Sequence, residues 1–288
     1  NVGTRCIGGV NVGPVDHIRI TNCTIENSGL NAINFVDKES NDISDIYIAG
    51  NTITDSRNHG ILMGMRQESG TDGIIENILI EDNDVTLAFD AQPIGVFGQD
   101  GSVCRKAAII NNRIDQQGGS YEVDPSGANA ALEEDVRNSI MAYNSIQDDP
   151  NASRGGPNRT KEGTDCIIAN NEVFDHGRSI NIDTQNTTDH SGPDNTVVVE
   201  NYVNNGGDGV RYADLGDKHL TIVRNRIENT STIINDGGGN NSTNKTIDNN
   251  GPSIPDESST GIPSTIPTSD SWSYGGETIG SATWDSGG

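Results

Sequence analysis

Two stretches thirty residues apart hold most of the side chains that could do chemistry. HGRSINID carries His176, Arg178, Asn181 and Asp183, and DGVRYAD carries Asp208, Arg211, Tyr212 and Asp214. A guanidinium presents a planar fork of donors to a carboxylate, so Arg211, with His176, Arg178 and Asn181 beside it, is a candidate binder of a sugar acid. Two carboxylates flanking a glycosidic bond can act as acid and base, which makes Asp183 and Asp214, together with Asp208 and Arg211, candidates for glycoside cleavage. The same residues also suit a plainer role. Arg178 with Asp208 is what any surface ion pair between neighbouring strands looks like, and Asp plus Glu number 42 in a chain of 288. The acidic segment DPSGANAALEEDV offers Asp124, Glu133, Glu134 and Asp135 as oxygen ligands of the kind Ca²⁺ takes, or as a solvated acidic loop.

Whether these groups meet depends on what positions them. The triplet Ile48/Asn51/Ile53, an aliphatic residue followed by Asn three later and an aliphatic two after that, recurs at Ile80/Asn83/Val85, Ile109/Asn112/Ile114, Met141/Asn144/Ile146, Ile168/Asn171/Val173, Val198/Asn201/Val203 and Ile222/Asn225/Ile227. A first copy, Ile20/Cys23/Ile25, has cysteine in the Asn slot, and a last one keeps Ile247 and Asn250. Successive slots lie 24 to 32 residues apart. Self-similarity at that period is the mark of a solenoid, whose repeats bury their apolar faces only by stacking. The runs inside each repeat are short and β-branched, as in IYIAGNTI and LTIVRNRI, and are separated by Gly, Asn, Asp and Ser, which predicts strands joined by turns. Rungs about 4.8 Å apart would superpose each Asn on the next, each amide donating to one neighbour and accepting from the other. Asn51, Asn83, Asn112, Asn144, Asn171, Asn201 and Asn225 are therefore expected to form a buried ladder at a tight turn.

With its Asn ladder and β-branched coils, the chain resembles the right-handed parallel β-helix family of pectate lyases, polygalacturonases and viral tailspikes over roughly residues 15 to 250. The resemblance implies an all-β, right-handed, single-stranded parallel β-helix of about nine coils, with a shallow polysaccharide groove on outward strand faces. It does not extend to the catalytic motifs. NID at 181–183 and NHG at 58–60 only partly match the polygalacturonase pattern, in the wrong order and spacing, and Arg211 beside Asp183 and Asp208 is a loose counterpart of the lyase arrangement.

Offsets from the ladder fix which residues share a level. Arg178 and Asp208 each lie seven residues past their Asn, and Asn181 and Arg211 ten past, so these pairs are expected side by side. Strand alternation sends Ile180, Ile182, Val210 and Tyr212 inward and Asn181 and Arg211 outward. On earlier coils the same strand offers Asn34, Leu62 and Gly95. The segments 117–134, 148–164 and 184–195 read as enlarged loops. ANAALEEDVRNSI at 128–140 is the one stretch with a helical period and is expected to be a loop excursion.

Against the 42 acidic residues stand 18 Lys plus Arg, a net charge of -24. Such a chain repels itself and nucleic acid in dilute salt, and molar salt shortens the Debye length to about 3 Å. This balance points to a halophilic archaeon or its virus, and the lack of a basic patch argues against nucleic-acid binding. The chain begins at Asn1 with what reads as part of a coil, as expected of a processed product or fragment, without a signal peptide or an apolar run long enough to span a membrane. Sequons at Asn22, Asn151, Asn158, Asn186, Asn229, Asn240, Asn241 and Asn244 suit a secreted glycoprotein, with Asn22 expected to be inaccessible beside the ladder. Of Cys6, Cys23, Cys104 and Cys166, the pair to test for a disulfide is Cys6 with Cys23, because Cys104 and Cys166 fall on non-adjacent coils. Residues 1–250 are thus expected to form the solenoid. Residues 251–288, rich in Pro, Ser, Thr and Gly, read as a tail or linker, with Trp272, Tyr274 and Trp284 as docking anchors.

Two functions fit. One is a structural, glycan- or receptor-binding module of a cell or virion surface, tailspike-, turret- or adhesin-like and trimeric. The other is a secreted polysaccharide lyase or glycoside hydrolase.

Overall fold

The computed structural model describes residues 7–10, 14–37, 42–65, 73–87, 93–98, 103–116, 130–133, 136–147, 158–161, 164–175, 178–183, 195–213, 219–237, 245–248, 250–252, 273–274 and 277–278. These residues build a parallel β-solenoid. One sheet stacks nine parallel strands, from Ile18–Thr21 through Ile43–Ala49, Ile74–Glu81, Val103–Ile110, Val136–Ala142, Thr164–Ala169, Thr196–Val199 and Leu220–Val223 to Lys245–Asp248. A second sheet has two arms. The first arm starts just after the ladder slot, with strands such as Thr52–Thr54, Asp84–Leu87 and Glu172–Phe174, and the other runs from Ile7–Val10 to Arg178–Asp183. Both arms join in the single strand Tyr202–Ala213, which Arg226–Asp236 extends by one more rung. The merged strand spans as many residues as Glu172–Asp183 on the rung before it, and the step from Asn201 to Asn225 is only 24 residues because the connection from Ala213 to Leu220 is shorter than that from Asp183 to Thr196.

Inward columns of aliphatic side chains form the core. Ile48, Ile80, Ile109, Met141, Ile168, Val198 and Ile222 lie one above another, all without solvent exposure. Beside this column the ladder runs as expected. The Nδ2 of each Asn donates to the Oδ1 of the next, at 2.9 Å from Asn51 to Asn83, 3.0 Å from Asn112 to Asn144 and 2.9 Å from Asn171 to Asn201. The same Oδ1 also accepts the backbone N–H of the previous Asn at 3.0 Å. From Asn83 to Asn250 each amide donates as well to a strand carbonyl of the preceding rung, and those of Asn83, Asn112, Asn171, Asn201, Asn225 and Asn250 donate also to the carbonyl two residues before them, so the buried groups are satisfied.

The ladder turn requires a left-handed residue immediately before each slot, and Asn22, Gly50, Asp82, Asn111, Tyr143, Asn170, Glu200 and Arg224 all have φ between 53° and 63°. Asn, Asp and Gly accept this conformation readily; for Tyr143, Glu200 and Arg224 it costs about 1 kcal/mol or more each, offset by the stacking it permits. Gly50 has a further constraint, since a Cβ there would lie 2.7 Å from Asn22 Oδ1.

Several expectations change. The segment 128–140 is not helical: it contains the strand Ala130–Glu133 and the start of Val136–Ala142, because pairing with rungs on both sides outweighs a local helical period. The strands Ala130–Glu133 and Asn158–Lys161 also mean that the segments 117–134 and 148–164 are not wholly loop. Cys23, Cys104 and Cys166 form no disulfide, and Cys6 lies outside the described residues. Asn22 is exposed rather than inaccessible, because the left-handed turn places it outside the ladder. Within 251–288, Gly251 bridges to Arg226, and Ser273–Tyr274 pairs antiparallel with Glu277–Thr278. No helix among the described residues is long and apolar enough to cross a membrane.

Candidate functional site

The candidate residues lie at the junction of the second arm with the merged strand. Register places Arg178 opposite Asp208, Asn181 opposite Arg211 and Asp183 opposite Ala213. The first two pairings match the ladder offsets. Asp183 is thus level with Ala213 rather than with Asp214, which follows one position later and lies, with His176, outside the described residues. The core positions agree with strand alternation: Ile180, Ile182 and Val210 have no exposure and Tyr212 has 3%.

Arg211 Nη1 donates to Asn181 Oδ1 at 3.1 Å across the rung, which orients the guanidinium. Asn181 is not open to solvent, as an outward residue would be on a bare sheet, but only 4% exposed, while Arg211 is half-buried. Gly237 closes in on the guanidinium from the next rung. A Cβ at that glycine would stand 2.7 Å from Arg211 Nη2, so a side chain there would displace the guanidinium. Asp208 is also engaged, because Asn235 Nδ2 donates to its Oδ2 at 2.8 Å.

Register carries this row further than the ladder offsets indicated. Gly95, Ala131, Arg159, Asn181, Arg211 and Asn235 stand level on six successive rungs, and two positions on, Glu133, Lys161, Asp183 and Ala213 form a parallel row. Sequence reasoning missed Arg159 and Lys161. Their strand, Asn158–Lys161, puts Asn158 and Thr160 where the neighbouring rung has Ile180 and Ile182, so the aliphatic alternation that marks other strands is missing. The available signal was the alternation of Arg and Lys in NRTK. Of the proposed Ca²⁺ ligands, Glu133 ends the strand Ala130–Glu133, and Asp124, Glu134 and Asp135 lie outside the described residues.

At the end of the merged strand the Tyr212 hydroxyl donates to Asp236 Oδ2 at 3.2 Å and accepts from Lys245 Nζ at 3.0 Å. Lys245 lies 4.8 Å from the ring centroid, and the hydrogen bond to Tyr212 raises its pKa above the ordinary lysine value. On the first arm, Phe174 and Tyr202 pack edge to face with centroids 5.8 Å apart, Arg226 lies 5.0 Å over Tyr202, and the Tyr202 hydroxyl donates to Glu228 at 3.1 Å. The Arg226 guanidinium, by hydrogen bonding, holds the Glu228 carboxyl below its usual pKa.

The described side chains of the Arg211 cluster thus pair with one another in an ordered donor and acceptor array. A fixed guanidinium and amides on successive rungs can recognise carboxylate and hydroxyl oxygens of an extended ligand. No family model, no curated protein and no solved structure matches the chain, so the class is defined by the fold alone, a parallel β-solenoid with an Asn ladder.

Proposed function

We propose that the protein is a non-catalytic β-solenoid of a cell or virion surface that binds glycans along the row of Arg159, Asn181, Arg211 and Asn235. The observation that carries this reading is the bond from Arg211 to Asn181, which fixes a guanidinium on a rigid rung in line with further polar positions above and below. Asp208, occupied by the amide of Asn235, acts as a brace for that row. The net charge of -24 fits an extracellular setting of high salt, in a halophilic archaeon or its virus, and the exposed sequons at Asn22 and Asn229 fit a glycoprotein. By analogy with tailspike- and adhesin-like β-helices the working form is a homotrimer; a monomer in molar salt by light scattering would count against that assembly.

A second function, a polysaccharide lyase or glycoside hydrolase, draws on the level placement of Lys161 beside Asp183 and of Arg178 beside Asp208. One experiment separates the two. Uronate-containing and neutral surface polysaccharides are offered in salt of about 3 M, where screening should support so acidic a chain, and retention, reducing ends and unsaturated uronate are all followed. The binding role predicts retention without cleavage, lost in Arg211→Ala and kept in Asp208→Asn, whose amide oxygen still accepts from Asn235. Cleavage abolished by Asp183→Asn or Asp208→Asn would establish the enzyme instead.

A further inference from the structure

The outer faces of the solenoid differ in how far they are open. On the nine-stranded sheet the outward side is apolar and dry over its middle rungs, with Ile167 7% exposed and Val199 0%, and on the second arm outward Asn34 is 1% exposed and Asn181 4%. The first arm is the reverse. On its eight rungs, from Thr24–Glu26 to the start of Arg226–Asp236, the aliphatic column from Ile25 to Ile227 is buried, whereas none of the outward residues is. This arm therefore presents an open strip of paired outward positions, with rungs about 4.8 Å apart. Thr, Ser, Asp, Glu, Gln, Asn and Arg occupy the strip everywhere but at Phe174 and Tyr202.

Both rings are half-buried, and the apolar surface they leave in water gains nothing from folding. Tyr202 has a local role. Its ring lies under Arg226 and its hydroxyl donates to Glu228, and the same set of cation, tyrosine and carboxylate recurs at Arg19, Tyr47 and Glu81 and at Lys245, Tyr212 and Asp236, where no second ring takes part among the described residues. Phe174 is thus not required by this fastening. We propose that Phe174 and Tyr202 form a second carbohydrate site, independent of the Arg211 row, that stacks a neutral hexopyranose of an extended polysaccharide.

The surroundings select this ligand. The two rings stand at 82° with centroids 5.8 Å apart, so they make a corner, the edge of one ring against the face of the other. One side of a hexopyranose is a patch of C–H groups with partial positive charge, which the negative face of an aromatic ring attracts. Gln147 and Asn204 stand level with Phe174 on the rungs to either side, and Glu172 and Arg226 level with Tyr202, so donors and acceptors for sugar hydroxyls flank the rings. The charge excludes an acidic sugar. Glu172, Asp175 and Glu228 outnumber Arg226, whose guanidinium is already held by Glu228 at 2.7 Å, and a uronate seated there would give up water to meet like charges. Tyr202 and Arg211 lie nine residues apart on one strand, which keeps the two sites distinct.

The test offers cellohexaose, maltohexaose and mannohexaose to the full chain in salt of about 3 M and follows broadening of the sugar proton resonances, with hexagalacturonate as the acidic probe. At least one neutral hexasaccharide is expected to bind. Phe174→Leu, which keeps apolar contact with Tyr202 but lacks a flat ring, should weaken that binding about tenfold, and Phe174→Tyr, which keeps the ring, should retain it. Because both variants preserve bulk at an outward position, their melting temperatures should stay close to that of the parent, so the loss reads the ring and not the fold. Hexagalacturonate should not displace the neutral sugar. The proposal is overturned if none of the three neutral probes binds at about 10 mM, well above a millimolar dissociation constant, if Phe174→Leu binds as well as Phe174→Tyr, or if hexagalacturonate competes.

Discussion

Asn171 Nδ2 donates to Asn201 Oδ1 at 2.9 Å, while Asn171 Oδ1 accepts from both the backbone N–H and the Nδ2 of Asn144. One side chain thus satisfies groups on three rungs in a site with no solvent exposure. Asn171→Ala leaves the two donors of Asn144 without their acceptor and removes the donor to the Met141 and Ala169 carbonyls. With each unsatisfied buried group costing about 1–3 kcal/mol, the expected loss of stability is about 3 kcal/mol or more. Asn250 lies at the end of the ladder and is partly exposed, so Asn250→Ala should cost about 1 kcal/mol. Denaturant melts of the two variants in high salt check the order; equal losses would mean that the ladder does not act through buried hydrogen bonding.

The thiols should separate by depth. Cys104 and Cys166 have no exposure, and burial pushes the Cys104 thiol far above its ordinary pKa, whereas Cys23 is half-buried at the first ladder slot. A thiol reagent followed by mass spectrometry is expected to label Cys23 in the native protein and to reach Cys104 and Cys166 only with denaturant. Native labelling of Cys104 at a rate similar to Cys23 would show that the middle coils open readily.

The ladder was legible because its slots recur at a nearly constant step, and once it was fixed, counting residues from Asn171 and Asn201 correctly placed Arg178 beside Asp208 and Asn181 beside Arg211. Counting failed where the chain lacks the usual pattern. Asn158 and Thr160 carry no aliphatic signal at core register positions, so their strand read as loop, and Arg159 and Lys161 were lost with it. The second apolar face was missed for the opposite reason. A short β-branched run such as TVVV predicts a strand without showing that both its faces are dry, yet Val197, one position from inward Val198, is only 4% exposed. A second polar column was also hidden: Asp45 and Asn77, both left-handed, stack with a 2.9 Å bond from Asn77 Nδ2 to Asp45 Oδ1, but the residues at these levels vary too much for a repeat to show.

Tyr47 should titrate late. Its hydroxyl donates to Glu81 Oε1 at 2.6 Å, and this bond, helped by burial and the carboxylate charge, pushes its pKa up to about 12. The unfolded phenol titrates near pH 10. Because the folded value is the higher, the contribution of Tyr47 to stability is complete below about pH 10 and disappears as the pH rises through about 12. Tyr143 and Tyr202 are also shifted upward by burial, so a phenolate absorbance titration is expected to show several late groups, of which Tyr47→Phe removes one, and the variant should lose less stability than the parent over that window. An unchanged number of late groups in Tyr47→Phe would assign the shift elsewhere.

Salt acts on this chain in two opposing ways. Screening weakens local pairs such as Arg105 with Glu76 at 2.7 Å and Arg224 with Glu200 at 3.0 Å, but it also weakens the mutual repulsion of an excess of 24 negative charges. Exposed or half-buried pairs contribute little, on the order of 1 kcal/mol or less each, whereas the excess charge opposes compaction across every coil, so the second effect should win. The melting temperature is therefore expected to rise steeply with sodium chloride up to about 1 M, where the Debye length has shortened from about 10 Å at 0.1 M to about 3 Å. Beyond that the rise should be shallower, since little repulsion is left to screen. Potassium chloride should give the same curve, because screening depends on charge rather than on the identity of the ion. A flat or falling melting temperature over this range would show that the acidic residues do not oppose the fold, and it would remove the physical basis for placing the protein in a high-salt environment.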